Sequence, residues 1–330
     1  MSAIEQKEDW LLSRREGIGG TDAAAICGLS PWKRPIDVFV AKVEPLDVEP
    51  PSAAMWWGSF LESGVRRRYQ EETGERVSHG KWLAPMFPDR ALPFGANTIV
   101  RGAEAWQFAT PDGVLKGARK GLEIKTSSSR GPEWGNVGSD EVPAHYLIQC
   151  VWLMAVTEIP LWDVAALFRG SNMEVFSLRR DSDLEQSVVE RCRAFWHENV
   201  LKGIPPDVDE SESYGKYLAR KHSLGNDVMI APTPEIDLWA AELHAAGLAI
   251  EEAEQSKRLA ANKLMELLGD DLGALTQVGK VAWVRPKPRR TTDWEGVATQ
   301  LKAPDDLIFA YTREKPSAPY VRGWFGKEGV

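Results

Sequence analysis

The chain has no apolar run near the roughly 18 residues that a membrane-spanning helix needs, so no membrane partner is expected. It has little cysteine. Cys27, Cys150 and Cys192 are odd in number, far apart and set in apolar or helical surroundings. That pattern predicts reduced structural thiols rather than a disulfide framework, and three are too few for a four-cysteine iron–sulfur cluster. The five histidines are scattered without zinc-ligand spacing. The glycine-rich stretch 17–20 lacks the Gly-Lys-Ser/Thr ending of a nucleotide P-loop, so ATP is not implied. The first nine residues are acidic and polar, unlike a secretory leader, and a cytoplasmic location is expected. Basic charge is the minority sign: 40 Lys and Arg against 48 Asp and Glu, a net charge of −8. This is not the balance of a protein that coats nucleic acid, although it leaves room for a basic channel in an acidic body.

What is present begins with 330 residues at 43% hydrophobic content, enough for a real core, in one large domain or a core plus an extension. The most informative stretch is Pro111-Asp112-Gly113 followed by Gly121-Leu122-Glu123-Ile124-Lys125-Thr126. Side chains alternate along a strand, so Leu122 and Ile124 share one face and Glu123 and Lys125 the other. The polar, glycine-bounded segment 116–121 reads as the turn of a hairpin that brings Asp112 beside Glu123 and Lys125. Two carboxylates make an oxygen-rich site of the kind that hard divalent ions prefer. A lysine on the same face can position water or offset developing phosphate charge.

Around this core, residues 10–15 predict a short helix that runs into Glu16-Gly17-Ile18-Gly19-Gly20-Thr21-Asp22. Thr21 or Asp22 caps an alanine-rich helix ended by Gly28, and free N–H groups at such a start attract anions. Residues 56–73 predict an amphipathic helix with Gly58, Leu61, Glu62, Val65 and Tyr69 on one stripe. Glu62 is thus a core-facing carboxylate in want of a cation, a metal or a proton. Strands are expected over 92–103 and 106–125, then a mobile polar loop over 126–140. A helix over 143–156 places Tyr146, Gln149, Cys150 and Leu153 on one face, so Gln149 needs polar partners. Strands at 161–168 and 173–178 and a helix at 183–202 follow. Composition divides the chain into a core (1–205), a Pro/Ser/Gly-rich linker (206–234) and an extension (235–330) with a long helix over 235–268 and a hairpin over 273–285. Basic clusters lie at 14–15, at 66–68, in the turn at Lys116, Arg119 and Lys120, and at 285–290. The 14 tryptophans exceed ordinary usage, most expected in the core and a minority free to stack on bases.

In order, these motifs are Arg15-Glu-Gly-Ile-Gly-Gly-Thr21-Asp22, Leu29-Ser-Pro-Trp32, Trp57-Gly58, Leu61-Glu62, Pro111-Asp112-Gly113, Leu122-Glu123-Ile124-Lys125-Thr126, Trp134-Gly135 and Pro143-x-x-Tyr146-x-x-Gln149. Together they make residues 10–200 resemble the YqaJ-type viral recombinase family, which belongs with lambda exonuclease in the PD-(D/E)xK nuclease superfamily. The resemblance implies an α/β fold, a central mixed sheet flanked by helices, with a mainly helical C-terminal extension. It implies Mg2+, or Mn2+, held by Asp112, Glu123 and the Ile124 carbonyl. Lys125 would handle the attacking water, and Glu62 and Gln149 would complete the catalytic set. Arg15, Thr21 and Tyr146 fall where relatives contact substrate, the first two at its 5′-phosphate. Lambda exonuclease has a cysteine after the catalytic lysine; Thr126 stands there in this chain. The implied activity is a 5′-3′ double-strand DNA exonuclease that acts at DNA ends and leaves 3′ single strands. Its implied partner is a single-strand annealing protein and its implied assembly a ring trimer. The alternatives are an endonuclease of the same superfamily, or an inactive DNA-binding protein with this fold.

Overall fold

The computed structural model describes residues 12–45, 52–94, 97–116, 120–223, 228–284 and 292–311. The chain forms two compact units, Met1–Tyr217 and Leu218–Val330. Of the expected first helix, residues 12–15 are helical.

In the first unit, α1 (Gly20–Ile26) and α2 (Pro35–Val43) come first. Sequence patterning did not signal α2, yet its start is well made: Pro35 opens it and the Asp37 carboxylate accepts the Arg34 N–H at 2.7 Å. α3 (Ala53–Thr73) is capped by the Ser52 hydroxyl and ended by Gly74 at φ 72°, the left-handed conformation that glycine adopts without strain. Then come β1 (Val77–Ser78), a 3-10 turn (Gly80–Met86), β2 (Ala91–Phe94), β3 (Asn97–Arg101), β4 (Phe108–Ala109), β5 (Gly113–Leu115) and β6 (Lys120–Ser127). α4 (Ala144–Thr157) crosses over to β7 (Leu161–Phe168), and β8 (Asn172–Arg179) follows. The main sheet runs β1-β5-β6-β7-β8. Only β6–β7 is parallel, as a pair joined by a crossover helix must be. A smaller antiparallel sheet holds β2, β3 and β4.

Strand alternation assigns the two faces. Leu122, Ile124 and Ala165 pack with Val65 and Tyr69 of α3. Trp162, Val164 and Ala166 point the other way, into the larger core with α4. Glu123 and Lys125 therefore face α4. Gly121 permits this layering, because a Cβ there would lie 2.3 Å from the Trp162 ring. Tyr69 locks α3 to the sheet by donating to the buried Asp163 carboxylate at 2.6 Å, which Ser177 and Lys120 also reach. α5 (Ser182–Ala194), capped by Asp181, runs on into a π-type turn (Phe195–Val200).

Two stretches differ from expectation. The stretch 126–140 is tethered rather than loose: Trp134 is buried against Phe168 and Phe176, and Arg130 bridges Glu174 and the Trp134 carbonyl. The presumed linker contains α6 (Glu212–Lys221), because Tyr214 and Tyr217 are buried and Tyr217 meets Phe39 edge-on. Polar composition masked these two aromatic anchors. The second unit holds α7 (Pro234–Leu268), the hairpin β9 (Gly273–Thr276) and β10 (Gly279–Ala282), α8 (Trp294–Gln300) and α9 (Asp305–Tyr311). Arg119 and the basic cluster at 285–290 lie outside the described residues. Among the described residues, no helix is long and apolar enough to cross a membrane.

Candidate active site

Three elements converge on one polar cluster. β5 begins just after Asp112, whose Oδ2 accepts the Ile124 N–H at 2.8 Å and so ties the carboxylate to β6. One residue earlier on β6, Glu123 points to α4, where Gln149 Nε2 donates to its Oε1 at 2.5 Å. Lys125 Nζ donates to the same Glu123 oxygen at 2.6 Å and to Gln149 Oε1 at 2.9 Å. Gln149 thus has the partners its half-buried position demanded. Tyr146, one turn earlier on α4, lays its ring 4.9 Å from the Lys125 ammonium, a cation–π distance. Gly20 of α1 lets α4 approach, since a Cβ there would sit 2.9 Å from Gln149 Cγ.

The electrostatics of this cluster are unbalanced toward negative charge. Burial and the neighbouring Asp112 push the Glu123 carboxyl up to about 7, against the pull of Lys125. Burial also raises Asp112, with Lys125 and the Ile124 N–H opposing. Lys125 is buried too, yet Glu123 and Asp112 hold its ammonium above the ordinary range. Glu62 on α3 is raised by burial and by Asp112, while Arg66 one turn on pairs with it. It is half-buried, at the rim of the site rather than in the core where the helical stripe placed it. Arg66 is the buried member of the cluster at 66–68, and its Nε also donates to the Asp112 carbonyl at 3.2 Å. Arg67 and Arg68 are exposed and paired with Glu71 and Glu72.

Glu123 Oε2 decides whether a cation fits. It is buried and has no hydrogen-bond partner. The fold fully satisfies the buried Asp163 carboxylate, so an unpaired oxygen beside a second carboxylate marks a place for a positive ion. Among the described residues, no group of three or more His, Cys, Asp or Glu forms a ready cage. An ion there would rest on Asp112, Glu123, the Ile124 carbonyl and water. That hard-oxygen set suits Mg2+, which keeps several waters and needs only one or two carboxylates.

A cavity of about 400 Å3 opens beside Asp112 and Gln149, lined also by Arg14, Thr21, Ser59 and Thr110. Here the structure corrects an expectation. Arg15 turns away and donates through Nε and Nη2 to the Lys42 carbonyl at 3.3 and 3.2 Å. Its neighbour Arg14 lines the cavity, with Nη2 3.0 Å from Thr21 Oγ1 and 3.4 Å from Asp22 Oδ1. The loop N–H of Gly19 is taken by Asp22 Oδ2 at 3.2 Å, and the Arg14 guanidinium brings positive charge to the cavity. Behind it, Lys42 Nζ lies 2.7 Å from both Asp22 Oδ2 and the Arg14 carbonyl. Burial opposes ionisation of Asp22, but Lys42, Arg14 and Lys33 bring its carboxyl well below the usual range. Arg14 and Arg66 were read from sequence only as members of basic clusters, without a role, and Lys42 was not singled out. A lone lysine on the apolar face of Ile36, Val38 and Phe39 was the available signal for Lys42, and the i,i+4 spacing from Glu62 for Arg66.

Residues 9–160, which include every one of these side chains, match the YqaJ-like viral recombinase domain. Over this stretch the chain is similar to that family. A YqaJ relative, the uncharacterized protein YqaJ of Bacillus subtilis (strain 168), is 29% identical over 222 residues, 66% of this chain and 64% of that protein. The chain therefore spans slightly less than two thirds of the length of this YqaJ relative. Among solved structures, an alkaline exonuclease, LHK-Exo from Laribacter hongkongensis, is 19% identical and aligns with 66% of this chain and 98% of its own, at a TM-score of 0.44. A phage related exonuclease from Haemophilus somnus 129PT is 9% identical over 57% of this chain and 96% of its own, at a TM-score of 0.41.

Proposed function

We propose that this YqaJ-like chain is a divalent-metal-dependent deoxyribonuclease that digests double-stranded DNA from its ends, 5′ to 3′, leaving 3′ single strands for annealing-type recombination. The observation that carries the reading is the unpaired, buried Glu123 oxygen beside Asp112, with Lys125 bonded to the same carboxylate. A divalent ion, Mg2+ or Mn2+, would supply Lewis-acid stabilisation of the scissile phosphate and acidify the attacking water. The chain's own residues do the rest. Asp112, fixed by the Ile124 N–H, and Glu123, fixed by Gln149, present their oxygens without reorganisation. The Lys125 ammonium, steered by Gln149 and Tyr146, stands where it can orient water or neutralise charge that develops on phosphate. Glu62, with its raised carboxyl on the Asp112 side of the site, is placed to accept or relay a proton. A single-strand annealing protein is the proposed partner for the product strand, and a ring-shaped homo-oligomer, a trimer, the proposed assembly.

The test uses linear duplex labelled at either the 5′ or the 3′ end, alongside a covalently closed circle, with Mg2+. Early release of 5′ label and an intact circle is the expected result. Cutting of the circle would replace this reading with an endonuclease. Absence of digestion with either Mg2+ or Mn2+ would leave a DNA-binding protein without chemistry.

A second expectation concerns the end of the substrate. Arg14 and Thr21 share the cavity that borders Asp112, and a guanidinium can hold a terminal phosphate through two parallel hydrogen bonds. Initial rates on matched duplexes should favour a 5′-phosphate over a 5′-hydroxyl by roughly tenfold to a hundredfold, the scale of charged hydrogen bonds. Arg14→Ala should erase most of that preference, and Arg15→Ala should retain it. The reverse pattern would return the anchor to Arg15.

A further inference from the structure

α7 is 35 residues long, about 52 Å at 1.5 Å per residue, and none of its residues is buried. Helices in proteins are held chiefly by packing of an apolar face. This one has such a face, left uncovered: Trp239 is 66%, Ile250 60% and Leu267 81% exposed. The face repeats every seven residues. One row is Ile236, Leu243, Ile250, Lys257 and Leu264; the second, offset by three, is Trp239, Ala246, Ala253, Ala260 and Leu267. A seven-residue repeat of this type drives two helices to wind around each other.

Side-chain size and charge choose the partner and its direction. In a parallel pair of two copies each residue meets itself. Lys257 would face Lys257, Trp239 would face Trp239, and three successive alanines would face alanines across a gap. Antiparallel pairing centred between Ile250 and Ala253 removes all three conflicts. Ile250 then opposes Ala253, Leu243 opposes Ala260, and Trp239 opposes Leu264, large against small or medium. Lys257 opposes Ala246, which leaves its ammonium free to reach solvent. The same register sets Glu242 beside Lys263 of the other copy, twice by symmetry. Among the described residues of its own chain, Lys263 makes a surface contact with Glu266 at 2.9 Å, which it can exchange. Ala240, Gly247 and Ala261 flank the seam and allow the backbones to come close.

We infer that α7 is an assembly element, pairing with α7 of a second copy of this chain as an antiparallel two-stranded coiled coil; being two-fold, this contact would join copies of different rings rather than neighbours within one trimer. This is independent of the nuclease reading, because it is read by mass rather than by digestion. The experiment is sedimentation equilibrium of the full chain over a wide concentration range, with circular dichroism to confirm that helicity is kept. Ile250→Glu sets a carboxylate against the centre of the seam on both copies and should weaken the α7-dependent association at least about a hundredfold. Glu242→Lys alone and Lys263→Glu alone each place like charges together twice and should weaken it roughly tenfold. The double variant Glu242→Lys/Lys263→Glu should restore it. Association carried by the first unit would persist in every variant and so is distinguishable. If Ile250→Glu leaves the mass curve unchanged, α7 is not an assembly element. If the double variant is no better than the single ones, the antiparallel register is wrong.

Discussion

Glu123→Gln is expected to abolish DNA hydrolysis and, in the same protein, to raise the stability of the metal-free fold above neutral pH. The loss of rate should be at least roughly a thousandfold, the scale on which removal of one transition-state electrostatic group acts. The gain in stability follows from the direction of the Glu123 shift. Its carboxyl titrates at about 7 in the folded chain, against an ordinary value of 4.5. Between those values the folded protein holds a proton that the unfolded chain has released. Stability must therefore fall as pH rises through that window, and the full cost is present above it. At 1.36 kcal/mol per unit that cost is about 3 kcal/mol at most, and Gln does not carry it. Thermal melts without divalent ions should show wild type losing stability from about pH 5 to about pH 8, and Glu123→Gln losing less. Added Mg2+ should raise the wild-type midpoint most at the higher pH, where the carboxylate is ionised, and leave the variant unmoved. A variant less stable than wild type at both pH values would contradict the account of a carboxylate held in wait for a cation.

Lys42→Met carries the largest expected destabilisation. The Lys42 side chain is 3% exposed and the Asp22 side chain 5%, with 2.7 Å between Nζ and Oδ2. Removal of one partner of such a pair leaves a buried charge uncompensated, which costs about 3–5 kcal/mol. The Asp22 carboxyl is depressed in the folded state, so its contribution is present above the unfolded value and is lost as pH falls toward the folded one. The variant should therefore be most impaired at neutral pH and less so in acid. Asp22→Asn combined with Lys42→Met removes the stranded charge and should recover part of the loss by chemical denaturation. The pair also braces the cavity wall, since Asp22 Oδ1 contacts Arg14 and Lys42 Nζ contacts the Arg14 carbonyl. Lys42→Met, where it folds, should lose the preference for a 5′-phosphate as well as stability. Equal stability of the variant and wild type at neutral pH would show that Asp22 finds another counter-charge.

Local periodicity explains what was legible in the sequence. Alternation along 121–126 is enough to put Glu123 and Lys125 on one face, and a turn with glycine at its edge is enough to return Asp112 to them. Helical spacing likewise put Tyr146 and Gln149 on one side of α4. Tertiary contacts were not legible. Arg14 and Arg15 are adjacent and chemically identical, and only the position of the Lys42 carbonyl decides which one faces the cavity. Glu62 sat on the expected stripe of α3, yet it lies at the rim, paired with the more deeply buried Arg66. The stretches 126–140 and 206–234 looked loose by composition, because Trp134 and Tyr217 act through distant partners, Phe168, Phe176 and Phe39, that no local window contains.

Asp112 and Glu123 are proposed to hold a divalent ion that would assist hydrolysis of DNA by water. The most direct test is a time course on end-labelled linear duplex, with wild type and Asp112→Asn side by side, in Mg2+ and again in excess chelator. Asp112→Asn keeps an oxygen for the Ile124 N–H but removes the negative charge. The account predicts digestion by wild type in Mg2+, none in chelator, and none by the variant in either. Digestion by Asp112→Asn at the wild-type rate, or by wild type in chelator, would contradict it.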